Sequence, residues 1–363
     1  MDTKILFYIN ALLNGGAERV LCNLANQFNK KGYQTVFVTS FPVKDEYILV
    51  DGVKRYNLEE KERHEGFVKR NVSRVKKLAK IVKKEKPNLI ISFLPEPNFR
   101  SIIVSKICNV PCIISVRNDP NQEYKNKSFF YAQKILYPLA NGIVFQTEDA
   151  KNWFPKNIQK KSTIIMNQVD PKFYAIEHRE ETYFVAIGRL TEQKNFSLLI
   201  KCFAEFLKSH PNNSLRIYGK GNKENELNCL IRSLEIEKRV KLMGQTNNVP
   251  EVLSKAKAFI MTSDYEGMPN ALLEAMAVGV PVISTDCPCG GPKMIVKHKE
   301  NGLLVPMRNS KLLLEAIIAI DDSDELRNRI KRNSKKTAEK FKPDVIFSKW
   351  ENYVLKFVEK TEV

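Results

Sequence analysis

Apolar and polar positions follow two alternating periods along this chain. Residues 5–9 are a short apolar run, followed by a polar, glycine-containing loop over 10–16. Ala17, Val20, Leu21, Leu24, Ala25 and Phe28 then recur at three- and four-residue spacing, which predicts a helix over 17–31. Gly32 stops it, and residues 35–39 read as the next strand. The same order returns in the second half. Residues 183–187 form a strand and 188–195 a loop. A helix follows with Leu198, Leu199, Cys202, Phe203, Phe206 and Leu207 inward. Asn212 and Asn213 break it before a strand over 215–218. Further apolar runs at 89–93, 112–116, 142–145, 240–243, 258–261 and 280–284 predict six more strands. Strands alternating with amphipathic helices specify an α/β chain with parallel, doubly wound sheets. Such sheets bind ligands at the C-terminal ends of their strands. The break between the halves lies in residues 168–182, which hold Pro171, four acids and no clear period. The expected domains are therefore 1–168 and 169–342, facing each other across a cleft. A last helix over about 343–360, with Val345, Ile346, Trp350, Tyr353 and Phe357, is expected to pack back on the first.

Composition sharpens this picture. A 363-residue chain with 43% hydrophobic residues can fill two cores. The formal net charge of +18 has a local source. Nine Lys or Arg and one acid, Glu85, fall between Lys69 and Lys86. Val68, Val72, Val75, Ala79 and Val82 recur among them at helical spacing. This basic amphipathic helix, 68–86, suits an anionic membrane surface, where each basic residue is worth about 1 kcal/mol. It equally suits a helix packed by its valines with a solvated lysine face. Nucleic acid is not expected as a partner, because no aromatic-interleaved basic stretch or known module accompanies it. Seven cysteines form no Cys-x-x-Cys pair, and their number is odd for a full disulfide set. Cys22, Cys108, Cys202 and Cys229 fall in helix-like apolar patterns as small buried residues. A reducing, cytoplasmic setting fits. No signal peptide is read at the N-terminus, and no apolar run approaches membrane-spanning length. The expected location is cytoplasmic, peripheral at the inner face of the membrane.

The richest stretch for chemistry is 262–285. Glu266 and Glu274 stand eight positions apart. Gly267 permits a turn, Pro269 suits the first turn of a helix, and Leu272, Leu273 and Met276 give that helix a buried side. Unpaired N–H groups near Met268, Pro269, Asn270 and Ala271 would attract phosphate. An amphipathic helix with two solvated acids has the same pattern. In the loop 188–195, Arg189 and Lys194 sit at a strand's C-terminal end and suit a diphosphate. Asn14, Gly15, Gly16, Ala17, Glu18 and Arg19 follow the first strand, where paired glycines allow close approach of a ligand. Gly219 and Gly221 end another strand without the third glycine of a dinucleotide fingerprint. Gly244 and Gln245 end one more. Both are weak candidates for a nucleobase region. Arg117 and Asn118 end a strand of the first half and are read either as ligand contacts or as surface residues. Asp322-Ser323-Asp324 reads as a helix cap rather than a metal pair. The four histidines, His64, His178, His210 and His298, are scattered, and no metal cluster is expected.

Taken together, the motifs resemble the family-4 retaining glycosyltransferases with the GT-B fold. They are Asn-Gly-Gly-Ala-Glu-Arg (14–19), Gly-Arg-Leu-x-x-x-Lys-Asn (188–195), Glu-Gly-Met-Pro-Asn-Ala-Leu-Leu-Glu (266–274), Gly-Val-Pro-Val-Ile-Ser-Thr-Asp (279–286) and Asn-Gly-Leu-Leu-Val-Pro (301–306). Residues 286–292 look like those of bacterial members that assemble capsule, O-antigen or exopolysaccharide. The resemblance implies two Rossmann-like domains. It also implies transfer of a sugar from a nucleotide-sugar, UDP-linked by expectation, to a lipid-diphosphate-linked sugar or oligosaccharide. No metal or other cofactor is implied. Arg189 and Lys194 would hold the donor diphosphate, and Glu274 the ribose. Glu266 would touch the transferred sugar, with Gly267, Met268, Pro269, Asn270 and Ala271 around it. Gly16 would approach the diphosphate from the other domain, and Gly15, Glu18, Arg117 and Asn118 would lie toward the acceptor. Two departures stand out. Met166 and Gln168 replace a Pro and a Gly around Asn167 in the interdomain segment. Arg117 or Asn118 stands where many relatives carry a His. The other reading is a non-catalytic basic protein that binds nucleotides or nucleic acid. A hydride-transfer enzyme is disfavoured, since neither half has the full glycine fingerprint.

Overall fold

A computed structural model describes residues 3–13, 15–61, 66–179 and 183–358. Asn14, His64, the acids at 180–181 and the last two positions of the helix expected to reach 360 lie outside the described residues. The chain divides into two compact units, 1–167 with 346–363, and 168–345.

In the first unit the order is β1 (Lys4–Ile9), α1 (Gly16–Lys30), β2 (Gln34–Thr39), β3 (Lys54–Asn57), α2 (Phe67–Glu85), β4 (Leu89–Phe93) and α3 (Pro95–Cys108). Then come β5 (Cys112–Ser115), α4 (Pro120–Glu123), α5 (Lys127–Leu136), β6 (Gly142–Phe145), α6 (Glu148–Trp153), α7 (Lys156–Lys160) and β7 (Ser162–Ile164). The strands form one parallel sheet ordered β3-β2-β1-β4-β5-β6-β7. In its centre Ile5–Ile9, Leu89–Phe93 and Cys112–Ser115 are buried without interruption, as a sheet covered on both faces requires. The second unit runs β8 (Tyr183–Ile187), α8 (Phe196–Ser209), β9 (Ser214–Tyr218), α9 (Glu224–Ser233), β10 (Val240–Leu242), α10 (Val249–Ser254) and β11 (Ala258–Met261). It continues α11 (Asn270–Val278), β12 (Val282–Asp286), α12 (Gly291–Ile295), β13 (Leu303–Pro306), α13 (Ser310–Asp322) and α14 (Asp324–Ala338). Its parallel sheet is ordered β10-β9-β8-β11-β12-β13. Phe184, Phe203 and Phe206 fill its core at centroid separations of 5.3–5.6 Å.

Helix α15 (Pro343–Val358) closes the first unit from Ile346 onward. Phe347 stacks edge-on against Phe28 at 4.8 Å, and Trp350 lies 5.7 Å from Phe93. The Tyr353 hydroxyl donates to the Lys161 carbonyl at 2.7 Å and accepts from the Ile143 amide at 3.0 Å. A Cβ on Gly142 would lie 2.7 Å from that hydroxyl, which is why the strand begins with a residue that has none.

Three strands escape the apolar pattern. β3 reads Lys-Arg-Tyr-Asn and β7 Ser-Thr-Ile, both edge strands without a buried face; β13 is the edge of the second sheet. β12 starts two residues later than its apolar run. Helix α2 also differs from its expected valine stripe. Val68 is 73% exposed and Val72 49%, whereas Arg74 is buried at 2%. The inward face is made by Arg74, Leu78, Ala79 and Val82. Arg74 turns inward because Glu59 waits there: Nε donates to Oε1 at 3.2 Å and Nη2 to Oε2 at 2.8 Å. Among the cysteines expected to be buried, Cys229 is exposed, and all seven are free thiols.

The Arg74–Glu59 pair is nearly sealed from water, with side chains 3% and 1% exposed. Removing one partner leaves the other charge without compensation. Glu59→Gln is expected to cost about 3–5 kcal/mol in equilibrium denaturation, and Arg74→Met with Glu59→Leu to restore much of that loss.

Candidate active site

Most of the candidate residues gather at the C-terminal ends of the second sheet. Here the backbone runs in close layers. Gly188 N–H donates to the Tyr218 carbonyl at 2.9 Å, and Gly219 N–H to the Gly244 carbonyl at 2.8 Å. A Cβ on Gly219 would stand 1.9 Å from the Gly188 carbonyl oxygen, so the ends of β8 and β9 approach as only glycine allows. Gly219 and Gly244 are half-buried, and Gln245 is exposed beside them.

The loop after β8 carries Arg189 outward and Lys194 inward. Arg189 is exposed, with no partner among the described residues. The Lys194 stem passes over Gly188, and its ammonium bonds Glu266 Oε1. The Ser263 hydroxyl donates to the same Oε1 at 2.7 Å. Lys194 and Glu266 are 18% and 9% exposed at their side chains, a partly desolvated pair at the mouth of the sheet. The surrounding loops are stitched together. Asp264 N–H donates to the Gln193 carbonyl at 2.8 Å, and Gln193 Nε2 to the Tyr265 carbonyl at 2.9 Å. Thr262 Oγ1 donates to the Lys194 carbonyl at 3.0 Å. The Asp264 carboxylate takes Asn195 Nδ2 at 3.0 Å and Arg308 Nη2 at 2.6 Å. Asn195 in turn caps α8 through the Leu198 N–H at 3.3 Å.

A third loop locks the carboxylate from behind. Glu266 N–H donates to the Pro288 carbonyl at 2.6 Å, and Cys289 N–H returns to the Glu266 carbonyl at 2.9 Å. Thr285 Oγ1 donates to the Ser263 carbonyl at 2.7 Å. Burial and the Glu266 charge both push the Cys287 thiol far above its ordinary range. A Cβ on Gly291 would lie 1.7 Å from the Gly267 carbonyl oxygen. After this turn Pro269 occupies the N-cap position of α11 and no side chain caps the helix. Gly267, Met268 and Pro269 are buried, while Asn270 and Ala271 are half-buried. Glu274 lies in the second turn, 5% exposed. Helix α11 is not amphipathic as expected: residues 272–278 are all buried. Two solvated acids are thereby excluded, since Glu266 and Glu274 are both below a tenth exposed.

In the first unit Gly15 is the N-cap of α1 and Gly16 its exposed first residue. The space a Gly15 side chain would need is taken by the Glu18 carboxylate, 2.1 Å from that Cβ position. Arg117 is not a surface residue. It is 8% exposed and lies 4.3 Å over the Phe93 ring. Its Nη1 donates to Ser115 Oγ at 3.3 Å, and its Nη2 to Asn167 Oδ1. The Gln146 side-chain amide donates to the Arg117 carbonyl at 2.8 Å and accepts from Asn167 Nδ2 at 3.0 Å. Burial lowers the Arg117 pKa to about 9, against the opposing Glu123 charge. Burial likewise raises Glu123 to about 8, against the Tyr124 hydroxyl and Arg117. Asn118, beside Arg117, is half-buried. Residue spacing does not reveal this cluster, because its members stand up to fifty residues apart.

Ser323 caps α14 through the Leu326 N–H at 3.2 Å, as its pattern predicts. His210 does meet two acids, Asp321 and Asp322, which sequence spacing did not show. Asp321 is already committed to Lys257 at 2.6 Å and Asn213 at 2.9 Å, so the grouping is an ion-pair network.

Two measurements check this geometry. Gly291→Ala must push back the Gly267 carbonyl; a destabilisation of about 1–3 kcal/mol is expected in denaturation, as for other overpacked sites. Glu123 keeps its proton in the folded state up to about pH 8 and releases it near 4.5 when unfolded. Stability should therefore fall as pH rises across that window. Denaturation midpoints of Glu123→Gln should show a flatter decline over the same range.

Two family models divide the chain. "Glycosyltransferase Family 4" matches residues 14–173, and "Glycosyl transferases group 1" matches 171–337. A Campylobacter jejuni alpha-1,4-N-acetyl-D-galactosaminyltransferase, whose name carries a PP-undecaprenol saccharide, is 27% identical over 96% of this chain and 97% of its own. An Escherichia coli UDP-Gal:alpha-D-GlcNAc-diphosphoundecaprenol alpha-1,3-galactosyltransferase is 26% identical over 73% and 75%. Among solved structures, Anabaena HepE in complex with UDP-glucose superposes with a TM-score of 0.82 over 97% of this chain and 99% of that one, at 18% identity. The two Rossmann-like units, the loops at their strand ends and these matches agree: the chain is a member of the family-4 glycosyltransferases, built on the GT-B plan.

Proposed function

We propose that this glycosyltransferase takes its sugar from a UDP-sugar, retains the anomeric configuration and delivers it to a lipid-diphosphate-linked saccharide in bacterial polysaccharide synthesis. The observation that carries the reading is the Lys194–Glu266 pair, set between exposed Arg189 and the uncapped start of α11. The two cations and the helix N–H groups supply positive charge for a departing diphosphate. Glu266 Oε1 is held by Lys194 and Ser263, and its second oxygen suits a hydroxyl of the transferred sugar. Glu274, one helical turn deeper, suits the ribose. Gly219, Gly244 and Gln245 lie at neighbouring strand ends, where the base would sit. In the first unit Gly16 stands exposed at the start of α1, suited to the diphosphate. Gly15, Glu18, Arg117 and Asn118 belong to the acceptor side. The acceptor hydroxyl attacks on the face that the diphosphate leaves, and a phosphate oxygen receives its proton. No metal or other cofactor is assigned a part.

The names of the undecaprenol-linked relatives support the lipid acceptor; the UDP-Gal relative and the UDP-glucose complex support the donor. No helix among the described residues is long and apolar enough to cross a membrane. Helix α2, with its lysines and its exposed Val68 and Val72, suits the anionic inner face of the membrane. We assign no nucleic-acid partner.

Arg189→Ala and Glu274→Ala are each expected to lower transfer from a UDP-sugar about 10²–10³-fold, the usual cost of losing one preorganised charge or hydrogen bond. Near-normal turnover in both variants would remove the donor site from this pocket. UDP-sugar binding without transfer to any lipid-linked acceptor would favour a non-catalytic nucleotide-binding protein instead.

A further inference from the structure

The strand order of the first sheet reverses between β1 and β4: β2 and β3 extend it to one side, and β5, β6 and β7 to the other. In doubly wound sheets ligands bind in the crevice at such a reversal, outside the C-terminal strand ends. Here Asn10 follows β1 and the turn Leu94-Pro95-Glu96-Pro97 follows β4. That turn is both strained and stiff. Leu94 has φ 74° and ψ 152°, a conformation that favours glycine and strains a leucine. The rings of Pro95 and Pro97 fix the backbone on either side of Glu96. Strain of this kind persists where surrounding contacts over-determine it, and it gathers at ligand sites.

The contacts that hold the turn form a buried network. Arg100 is 2% exposed and lies one helical turn beyond Glu96. Its Nε donates to Asn71 Oδ1 at 2.8 Å, and its Nη1 to Asn10 Oδ1 at 2.7 Å and to the Tyr8 hydroxyl at 2.9 Å. Nη2 serves Glu96, whose Oε2 it meets at 3.0 Å. Asn10 Nδ2 donates to the same Oε2 at 3.0 Å. Glu96 Oε1 makes no hydrogen bond among the described residues, and the side chain is 21% exposed. Arg74 and Glu59 of the same unit give the contrast. There one guanidinium takes both carboxylate oxygens and the pair is sealed, the closed fork of a purely structural ion pair. Glu96 is gripped by one oxygen and keeps the other open.

We propose that Glu96 reads the acceptor: its open Oε1 takes a hydrogen bond from a hydroxyl of the acceptor's terminal sugar, while Arg100, Asn10 and the strained Leu94 turn hold the carboxylate in place. A carboxylate paired with a guanidinium only accepts hydrogen bonds, so its ligand must bring a donor, and a sugar hydroxyl is one. That the ligand is a saccharide rests on the proposed reaction; that Glu96 receives it, and through a hydroxyl, goes further.

The probes are farnesyl-diphosphate-linked disaccharides ending in a neutral hexose or an N-acetylhexosamine, with the single-deoxy analogues of the tightest binder's terminal sugar. Calorimetry with the full protein and UDP reads their affinity. Glu96→Gln should weaken the tightest probe at least about tenfold, the usual worth of a hydrogen bond to a charged group, and leave UDP affinity unchanged. One deoxy analogue should lose a similar factor with the wild type and nothing further with Glu96→Gln, a coupling that a merely structural role would not produce. Glu96→Asp keeps the charge beside Arg100 and withdraws the oxygen by one methylene, so it should lose the probe likewise; it serves where Glu96→Gln does not fold. Coupled binding with no transfer from any UDP-sugar would sink the proposed reaction and leave this assignment standing. Probes bound equally by wild type and both variants, a deoxy penalty that persists in Glu96→Gln, or a wild type that binds no probe would overturn the assignment.

Discussion

The second unit is organised around one partly desolvated ion pair. Lys194 and Glu266 come from different βα loops, and neither charge has enough water around it to stand alone. Their pairing fixes where both loops can go, and the rest of the pocket follows. Asn195 and Thr262 tie the two loops by side chain, and Asp264 and Gln193 by backbone. The 285–291 turn closes behind them because a glycine at 291 lets its backbone meet the Gly267 carbonyl. The pair also sets a condition on any anion that enters. In the proposed donor reading a diphosphate would share the ammonium with Glu266, whose Oε1 also accepts from the Ser263 hydroxyl. The pocket is preorganised before ligand arrives, so little reorganisation accompanies charge development.

The first unit answers the same constraint with a different set of groups. The C-terminal ends of β4, β5 and β6 hold Ser92, Ser115 and Gln146, and around them sit Asn98, Arg117 and Asn167. Asn98 Nδ2 donates to the Ser115 carbonyl at 2.9 Å, and the Ser92 hydroxyl to Asn98 Oδ1 at 2.9 Å. Most of these buried polar atoms bond one another, whereas Arg117 Nε has no hydrogen-bond partner among the described residues. Arg117 is the exception in charge: its guanidinium is buried with neutral amides and an aromatic face, and the nearby Glu123 carboxyl is held protonated by the same burial.

Much of the architecture was readable from residue order. Strands buried on both faces need unbroken apolar runs, so β1, β4, β6, β8 and β11 declare themselves within a residue. Edge strands β3 and β7 bury little and so carry no such run. Among the site residues, glycines, Arg189, Lys194 and the two glutamates stood out because their types are rare together at strand ends. Ser263, Thr285, Asp264 and Arg308 did not. Their importance comes from partners 3 to 69 positions away, and a serine or aspartate in a loop has many ordinary uses. Arg74 was misplaced because a cation is read as solvated unless its partner is known, and Glu59 stands fifteen positions away in a different segment.

The distribution of charge separates the two units physically. In the second, several cations are paired internally, Lys194 with Glu266, Arg308 with Asp264 and Lys257 with Asp321, while Arg189 stands exposed at the end of β8. On α2 of the first unit, Lys69, Lys76, Lys80 and Lys83 have no acid partner among the described residues. Such a field reaches only about 10 Å at ordinary salt, so it steers a protein toward an anionic surface and fades with ionic strength.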